Sequence, residues 1–264
     1  MSAGFTAGEE QWRARLGTLR QVVRQEVVAR QLAGCLPDLP PRRVLDIGCG
    51  QGTQALLLAR RGHVVTGLDS SAQLLDDFRA ALAAELAEVG DRVRLIQGEA
   101  EAVTDWFAPS SFDVVLCQGV LMYFPDPGPL LDAIARVVVP GGTVSLLVRN
   151  GDALAMRPGL LGDWDGVGKA FDGVAYLNRI GVDARADRLE DLTAALARRR
   201  MHVARWYGVR VFTDAAASDA PLPDDATLDA ILRSEERAGR TDPYRRVAAL
   251  LHLIIVRGDE APGS

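Results

Sequence analysis

The chain reads as an α/β protein built on a mostly parallel sheet with helices packed on both faces. Three observations predict this. The strand-like runs are continuously apolar rather than alternating, as strands covered on both sides must be. They alternate with stretches of helical period, the pattern of successive βα units. The first such run, "RVLDIG" (43–48), empties into a glycine-rich turn followed by a helical pattern.

Taken in order, "GTLRQVVRQEVVARQLAGCL" (17–36) repeats apolar residues at helical spacing and stops before the breaker "PDLPP". After the first strand, "TQALLLARRG" (53–62) predicts a helix closed by Gly62, and "HVVTGLD" (63–69) a second strand. "SAQLLDDFRAALAAELAEVG" (71–90) predicts one helix, capped by serine and ended by glycine. "RVRLIQG" (92–98) and "FDVVLCQ" (112–118) are strands three and four, and "PGPLLDAIARVVV" (127–139) is the next helix. "PGG" then turns into a fifth strand, "TVSLLVRN" (143–150).

Residues 151–186 break the rhythm with many glycines and no clear period, and read as a lid or substrate segment. Trp164 is their pocket candidate, because it has no apolar stripe to join. "DRLEDLTAALARRR" (187–200) is a helix, "HVARWYGVRVF" (202–212) and "AALLHLIIVR" (248–257) a closing strand pair, and the tail "GDEAPGS" disorder. The organisation expected is a helical cap over 1–40, a core over 41–150, the lid over 151–186, and over 187–264 the remainder of the same domain.

Composition excludes several classes. The 264 residues carry a net charge of −5, so no global basicity advertises a nucleic-acid binder. Lys169 is the lone lysine among many arginines. No apolar run has the length of a membrane helix and the first residues have no signal-peptide core, so no membrane partner and a cytoplasmic location are expected. Cys35, Cys49 and Cys117 form no CxxC, and His63, His202 and His252 are scattered, so no metal site is expected.

The glycine turn discriminates among cofactors. A dinucleotide fingerprint needs G-x-G-x-x-G, but the spacing is Gly48-x-Gly50-x-Gly52 and the third fingerprint position falls on Thr53. A P-loop needs a lysine, and the turn has none. Asp46 lies inside the end of the first strand, where a carboxylate would repel a pyrophosphate but attract the ammonium of S-adenosylmethionine. Asp69 ends the second strand, where an acid accepts ribose hydroxyls, with Ser70 following. Behind the third strand, Glu99, Ala100 and Glu101 stand where an adenine edge would be held. Together these positions select S-adenosylmethionine.

Through "VLDIGCGQG", "GLDSS", "GEAE", "FDVVLCQGVL" and "PGG" the chain resembles the class I S-adenosylmethionine-dependent methyltransferases. The resemblance implies a seven-stranded, mostly parallel Rossmann-like methyltransferase sheet with an N-terminal helical extension and a lid insertion. "GTLRQ", "RVFTD", "DPY" and "LHLIIVR" are similar to stretches of the bacterial tRNA 5-carboxymethoxyuridine methyltransferases, so that the similarity spans residues 17 to 257. It implies Arg20 on the cofactor's carboxylate, Gly48, Cys49 and Gly50 in backbone contact, and Asp69 on the ribose. It also implies Ala100 and Glu101 at the adenine, and Gln118, where that family has histidine, near the sulfonium end. The lysine-rich run of that family is replaced here by "GDWDGVGKAFDG".

Methyl transfer needs alignment above all, and a base only where the nucleophile must lose a proton. A carboxylate is already ionised near neutrality and needs a cation to position it. Arg149, Arg157, Arg179 and Arg210 are available, with Arg210 and Arg149 the expected positioning pair, and no residue is assigned as catalytic base. The expected acceptor is a carboxylate on tRNA or on a small molecule. The alternatives are a small-molecule O- or N-methyltransferase and a non-catalytic S-adenosylmethionine-binding module.

Overall fold

The computed structural model describes residues 3–259. Two helices come first, α1 (Ala3–Arg13) and α2 (Leu19–Ala33). Strands and helices then alternate through β1 (Arg43–Ile47), α3 (Thr53–Arg60), β2 (Val64–Asp69), α4 (Ala72–Ala83), the short α5 (Ala87–Gly90) and β3 (Val93–Gln97). A single turn, α6 (Val103–Trp106), leads to β4 (Phe112–Gln118), α7 (Gly128–Val137) and β5 (Val138–Arg149). The segment beyond contains α8 (Met156–Leu160), α9 (Trp164–Asp172) and a hairpin of β6 (Ala175–Leu177) and β7 (Asp183–Arg185). The chain closes with α10 (Leu189–Ala197), β8 (Met201–Val209), α11 (Asp225–Ala238) and β9 (Leu250–Arg257).

The main sheet has seven strands in the order β3-β2-β1-β4-β5-β9-β8. β9 is antiparallel to both neighbours, and the remaining pairings are parallel. The strand order reverses direction between β1 and β4. Crevices for ligands open at the carboxyl ends of the strands at such a switch point.

The side-chain alternation of β1 divides the core into two layers. Leu45 and Ile47 pack on one face with Leu130, Leu131 and Ile134 of α7 and with Leu192 and Leu196 of α10. Val44 packs on the other face with Leu32 of α2, Leu58 of α3 and Phe78 of α4. Asp46 alternates with Leu45 and Ile47, so it falls on the α2–α3 side, where an apolar residue would continue the core.

The sequence reading needs four adjustments. The helix expected over 71–90 is two helices, although Ser71 does cap the first by accepting from the Leu74 amide at 3.0 Å. β5 begins before the "PGG" turn: Val138 pairs with Phe112 and Thr143 with Val114, so the prolyl-diglycyl residues bulge out of a continuous strand. Residues 151–186 are not irregular but carry two short helices and a hairpin. α11 had no counterpart in the sequence reading at all. Of the tail, residues 260–264 lie outside the described residues.

Candidate functional site

The turn after β1 is shaped by glycines for steric reasons. Gly48 and Gly52 have φ of 69° and 84°, a left-handed conformation that side chains rarely adopt. A Cβ on Gly48 would come within 2.3 Å of Val120, and one on Gly52 within 2.3 Å of the fully buried Phe78 ring. The turn therefore lies flat on the sheet end and leads straight into α3.

Asp69, at the end of β2, locks this turn. One carboxylate oxygen accepts from the Gly50 amide at 2.8 Å and the other from the Ser71 amide at 2.9 Å. Each oxygen keeps a further lone pair for a ligand hydroxyl. Burial nonetheless raises the Asp69 carboxyl above its usual range.

Asp46 lies beneath the same turn. Burial, and secondarily the charge of Asp69, push its carboxyl up to about 8, with Arg24 of α2 acting in the opposite direction. Arg24 also donates to the Gln118 carbonyl at 2.9 Å. These groups border a cleft of about 100 Å³ lined by Asp46, Gly48, Cys49, Gly50, Asp69 and Gln118, together with Trp12 and Arg24. α1 covers it: Trp12 approaches Gly50, and Arg13 pairs with Asp77 of α4 at 2.7 Å.

A second, larger cavity of about 850 Å³ adjoins the first, sharing Trp12, Arg24, Gly119, Tyr123 and Leu147 with it. Its floor is made by the carboxyl ends of β5 and β8, on either side of Leu250 at the start of β9. Three arginines converge there on one aspartate. Arg20 lies 2.6 Å from Asp214, and Arg149 and Arg210 each lie 3.4 Å from it. All four side chains are nearly buried, at 8–12 % exposure.

Burial and the neighbouring guanidinium groups bring Arg210 down to about 9. The Asp214 carboxyl is held below the usual carboxylate range, because Arg210, Arg149 and Arg20 outweigh the effect of its burial. The Nε donors of Arg20, Arg149, Arg157 and Arg210 are buried without a hydrogen-bond partner.

Of the residues singled out in the sequence, the structure brings Asp46, Gly48, Cys49, Gly50, Asp69 and Gln118 to one cleft. Ser70, Glu99, Ala100 and Glu101 sit at the ends of β2 and β3 outside its lining, with Glu99 and Glu101 exposed. Arg20 lines the larger cavity, and Arg24, one helical turn on, lines both. Arg210 lies just past the end of β8, at φ 59°, and is buried rather than on an exposed strand face.

Trp206 and Tyr207, on the strand that leads to Arg210, do not line the cavity. Trp206 stacks under Arg245 at 3.9 Å, and Tyr207 bonds Cys35. Tyr176 of the lid takes that place, with the Arg149 guanidinium 5.8 Å from its ring. Trp164 is 72 % exposed and does not line the cavity, although its neighbours Asp163 and Asp165 do. Sequence reasoning missed Arg24 and Asp214. Arg24 was within reach, since it shares a helix face with Arg20 at i,i+4.

Comparison with known proteins shows the family. A methyltransferase-domain family model matches residues 45–146. The tRNA 5-carboxymethoxyuridine methyltransferase of Escherichia coli K12 is 30% identical over 250 residues, covering 90% of this chain and 89% of that one. The chain belongs to the S-adenosylmethionine-dependent methyltransferases.

A ubiquinone biosynthesis O-methyltransferase of Paracidovorax citrulli is 38% identical over 128 residues, covering 48% of this chain and 52% of the relative. The fold also matches magnesium protoporphyrin IX methyltransferase from Synechocystis PCC 6803 with bound S-adenosylhomocysteine. That match has a TM-score of 0.63 and 18% identity over 97% of this chain and 95% of that one. The 1,6-didemethyltoxoflavin-N1-methyltransferase of Burkholderia thailandensis, at 18% identity and a TM-score of 0.58, covers 97% of this chain and 85% of its own. The methyltransferase uses S-adenosylmethionine, and the smaller cleft fits that cofactor chemically: buried carboxylates face it, and its glycine turn has no lysine to hold a phosphate.

Proposed function

We propose that this methyltransferase esterifies a carboxylate, and that the acceptor is the carboxymethoxy group of a modified tRNA uridine, the substrate named for its Escherichia coli relative. The observation that carries the reading is the floor of the larger cavity. Three guanidinium groups there face one carboxylate, and four buried Nε donors are unmet. Unmet buried donors cost on the order of 1–3 kcal/mol each, a cost that an anion can relieve. Among the cavity's lining residues bases outnumber acids, and the acids Asp163, Asp165 and Asp183 all belong to the lid segment.

In this reading Asp46 receives the cofactor's ammonium, and Arg20 and Arg24 are the guanidinium groups for its carboxylate. Asp69 takes the ribose, and Ser70, Glu99, Ala100 and Glu101 form the adenine end. Bound S-adenosylmethionine supplies a methyl group on a cationic sulfur. Arg149 and Arg210 hold the acceptor's carboxylate in line with it, and Tyr123 and Leu147 form part of the wall common to both cavities. A carboxylate ionised at neutral pH needs no base. His63, His202 and His252 line neither cavity. Alignment and exclusion of water therefore supply the rate. The cleft, at about 100 Å³, is smaller than an ordinary ligand site of roughly 300–1,000 Å³, and in this reading the cofactor also draws on the adjoining cavity, which shares Trp12, Arg24, Gly119, Tyr123 and Leu147 with it.

The test is methylation of two pools with isotopically labelled cofactor: tRNA carrying 5-carboxymethoxyuridine, and a small-metabolite extract. Nucleoside mass spectrometry should find label on the carboxyl group, removable by mild alkali. Label on a phenolic oxygen or a nitrogen in the second pool, with none on a carboxylate in either, overturns the reading.

A further inference from the structure

A chain of buried hydrogen bonds runs from the backbone of β8 to the cofactor cleft. Gln31 of α2, Ser145 of β5 and His252 of β9 are at most 1 % exposed, and none of them lines the cleft. Gln118, at the end of the chain, does line it. The separations are 3.3 Å from Gln31 to the Gly208 carbonyl, 2.7 Å from Gln31 to His252 Nδ1, 2.8 Å from His252 Nε2 to Ser145 Oγ, and 2.8 Å from Ser145 to Gln118.

The direction of every bond follows from one fixed end. The Gly208 carbonyl can only accept, so the amide nitrogen of Gln31 faces it and the Gln31 oxygen faces His252. Nδ1 of His252 must then carry a proton. Burial pushes His252 down to about 3, so the ring is neutral and Nε2 is an acceptor. The Ser145 hydroxyl therefore donates to Nε2 and has only lone pairs left for Gln118. Gln118 must offer its NH₂, which turns its carbonyl oxygen the other way. The opposite direction would set the Gln31 oxygen against the Gly208 oxygen, two acceptors face to face in a buried site.

We propose that Gln31, His252 and Ser145 are positioning residues that fix the amide of Gln118 so that it presents an oxygen, never an NH₂, to the cofactor cleft, and thereby favour the cationic cofactor over its neutral product. This rests on the cleft being the cofactor site. S-adenosylmethionine and S-adenosylhomocysteine differ at sulfur by a methyl group and a positive charge. A fixed oxygen dipole favours the charged form, whereas a freely flipping amide would present its NH₂ part of the time.

Two measurements test the proposal. Nitrogen-15 NMR of the ligand-free protein reads the His252 tautomer without reference to any cofactor. A neutral ring protonated on Nδ1 is expected, and a ring protonated on Nε2 overturns the direction of the chain. Calorimetry then compares both compounds in wild type, Ser145→Ala and Gln118→Ala. Each variant should lose selectivity for S-adenosylmethionine over S-adenosylhomocysteine by about tenfold, and the double variant should lose no more. A folded Ser145→Ala protein with the wild-type ratio overturns the relay alone. A wild type that binds neither compound overturns the cofactor site and the relay with it.

Discussion

Arg20 donates to Asp214 at 2.6 Å across 194 residues of sequence, tying α2 to the turn that follows β8. Arg149 and Arg210 share the same carboxylate, so Asp214 is what allows three guanidinium groups to occupy one buried floor. Asp214→Asn should therefore destabilise the fold by about 3–5 kcal/mol, the cost of leaving buried charges without their partner. The pH dependence has a definite sign. A carboxyl held below its ordinary value of about 3.9 contributes stability that is complete above that value and lost as pH falls through the folded value. The gap in unfolding free energy between wild type and Asp214→Asn should stay level from pH 7 to about 4 and shrink below. A gap that closes between pH 7 and 5 contradicts the assignment.

Asp46 should behave in the opposite way. Its carboxyl is raised to about 8, so the folded protein holds a proton there that the unfolded chain releases near pH 4. Stability from this group is complete below about pH 4 and is lost as pH rises towards 8. Asp46→Asn should accordingly raise the melting temperature at pH 8 while weakening S-adenosylmethionine binding at least tenfold. In the wild type, cofactor affinity should increase as pH rises from 6 to 8, with proton release on binding. Calorimetry in two buffers of different ionisation enthalpy measures that release directly, and zero release at pH 7 removes Asp46 from the ammonium site.

Glu235 of α11 shapes the floor from behind. It is 1 % exposed and accepts from the Val211, Phe212 and Thr213 amides at 2.7, 3.0 and 2.8 Å, and from the Thr213 hydroxyl at 2.7 Å. These bonds fold the turn that carries Arg210 on one side and Asp214 on the other. Glu235→Ala should cost several kcal/mol, at about 1–3 kcal/mol for each donor left unmet. Glu235→Gln, which keeps one acceptor oxygen, should cost less. Where either variant is folded, acceptor methylation should fall more than cofactor affinity, because the turn carries Arg210 directly but reaches the proposed cofactor site only through the Arg20–Asp214 pair. Equal loss of both affinities would show that the turn serves the whole sheet end.

The centre of the sheet was readable because buried strands are apolar throughout: β1, β4 and β9 announce themselves without tertiary context, whereas the edge strands β3 and β8 carry Arg94, Gln97, His202 and Arg205 among their apolar residues. The glycine turn and the two acids beside it were readable because Gly48, Gly50, Asp46 and Asp69 lie within one βαβ unit. α9 was hidden by Gly166 and Gly168, poor helix formers that obscure the period, although Asp163 caps the helix by accepting from the Gly166 amide at 2.9 Å. The 71–90 stretch looked like one helix because its alanines suit either side of the break at 84–86. The floor of the larger cavity was beyond sequence reasoning. Arg20, Arg149 and the Arg210–Asp214 turn come from three separate segments, and no local pattern states that three cations share one anion. Arg210 is legible as a cation at the carboxyl end of a strand facing the pocket, but its burial is not, on a strand whose neighbours Trp206 and Tyr207 turn elsewhere.

Arg210 is the position where chemistry and backbone can be separated. It is held at φ 59°, so Arg210→Ala would add backbone strain to the loss of charge, and Arg210→Gly is the cleaner truncation. Arg210→Lys keeps the cation but not the planar fork that grips a carboxylate through two parallel hydrogen bonds. The same burial and neighbouring guanidiniums that lower Arg210 to about 9 would drive a lysine, which starts lower, towards its neutral form. Both variants should thus lose acceptor methylation by about a hundredfold or more, with lysine giving no rescue. The loss should fall on kcat as well as KM, because the fork aligns the nucleophile and does not merely retain it. S-adenosylmethionine affinity should change far less than methylation, since Arg210 does not line the cleft and touches the proposed cofactor residues only through the Asp214 that it shares with Arg20. Steady-state kinetics with the carboxylate acceptor decide the matter: a wild-type rate in Arg210→Gly, or full activity in Arg210→Lys, eliminates the bidentate clamp.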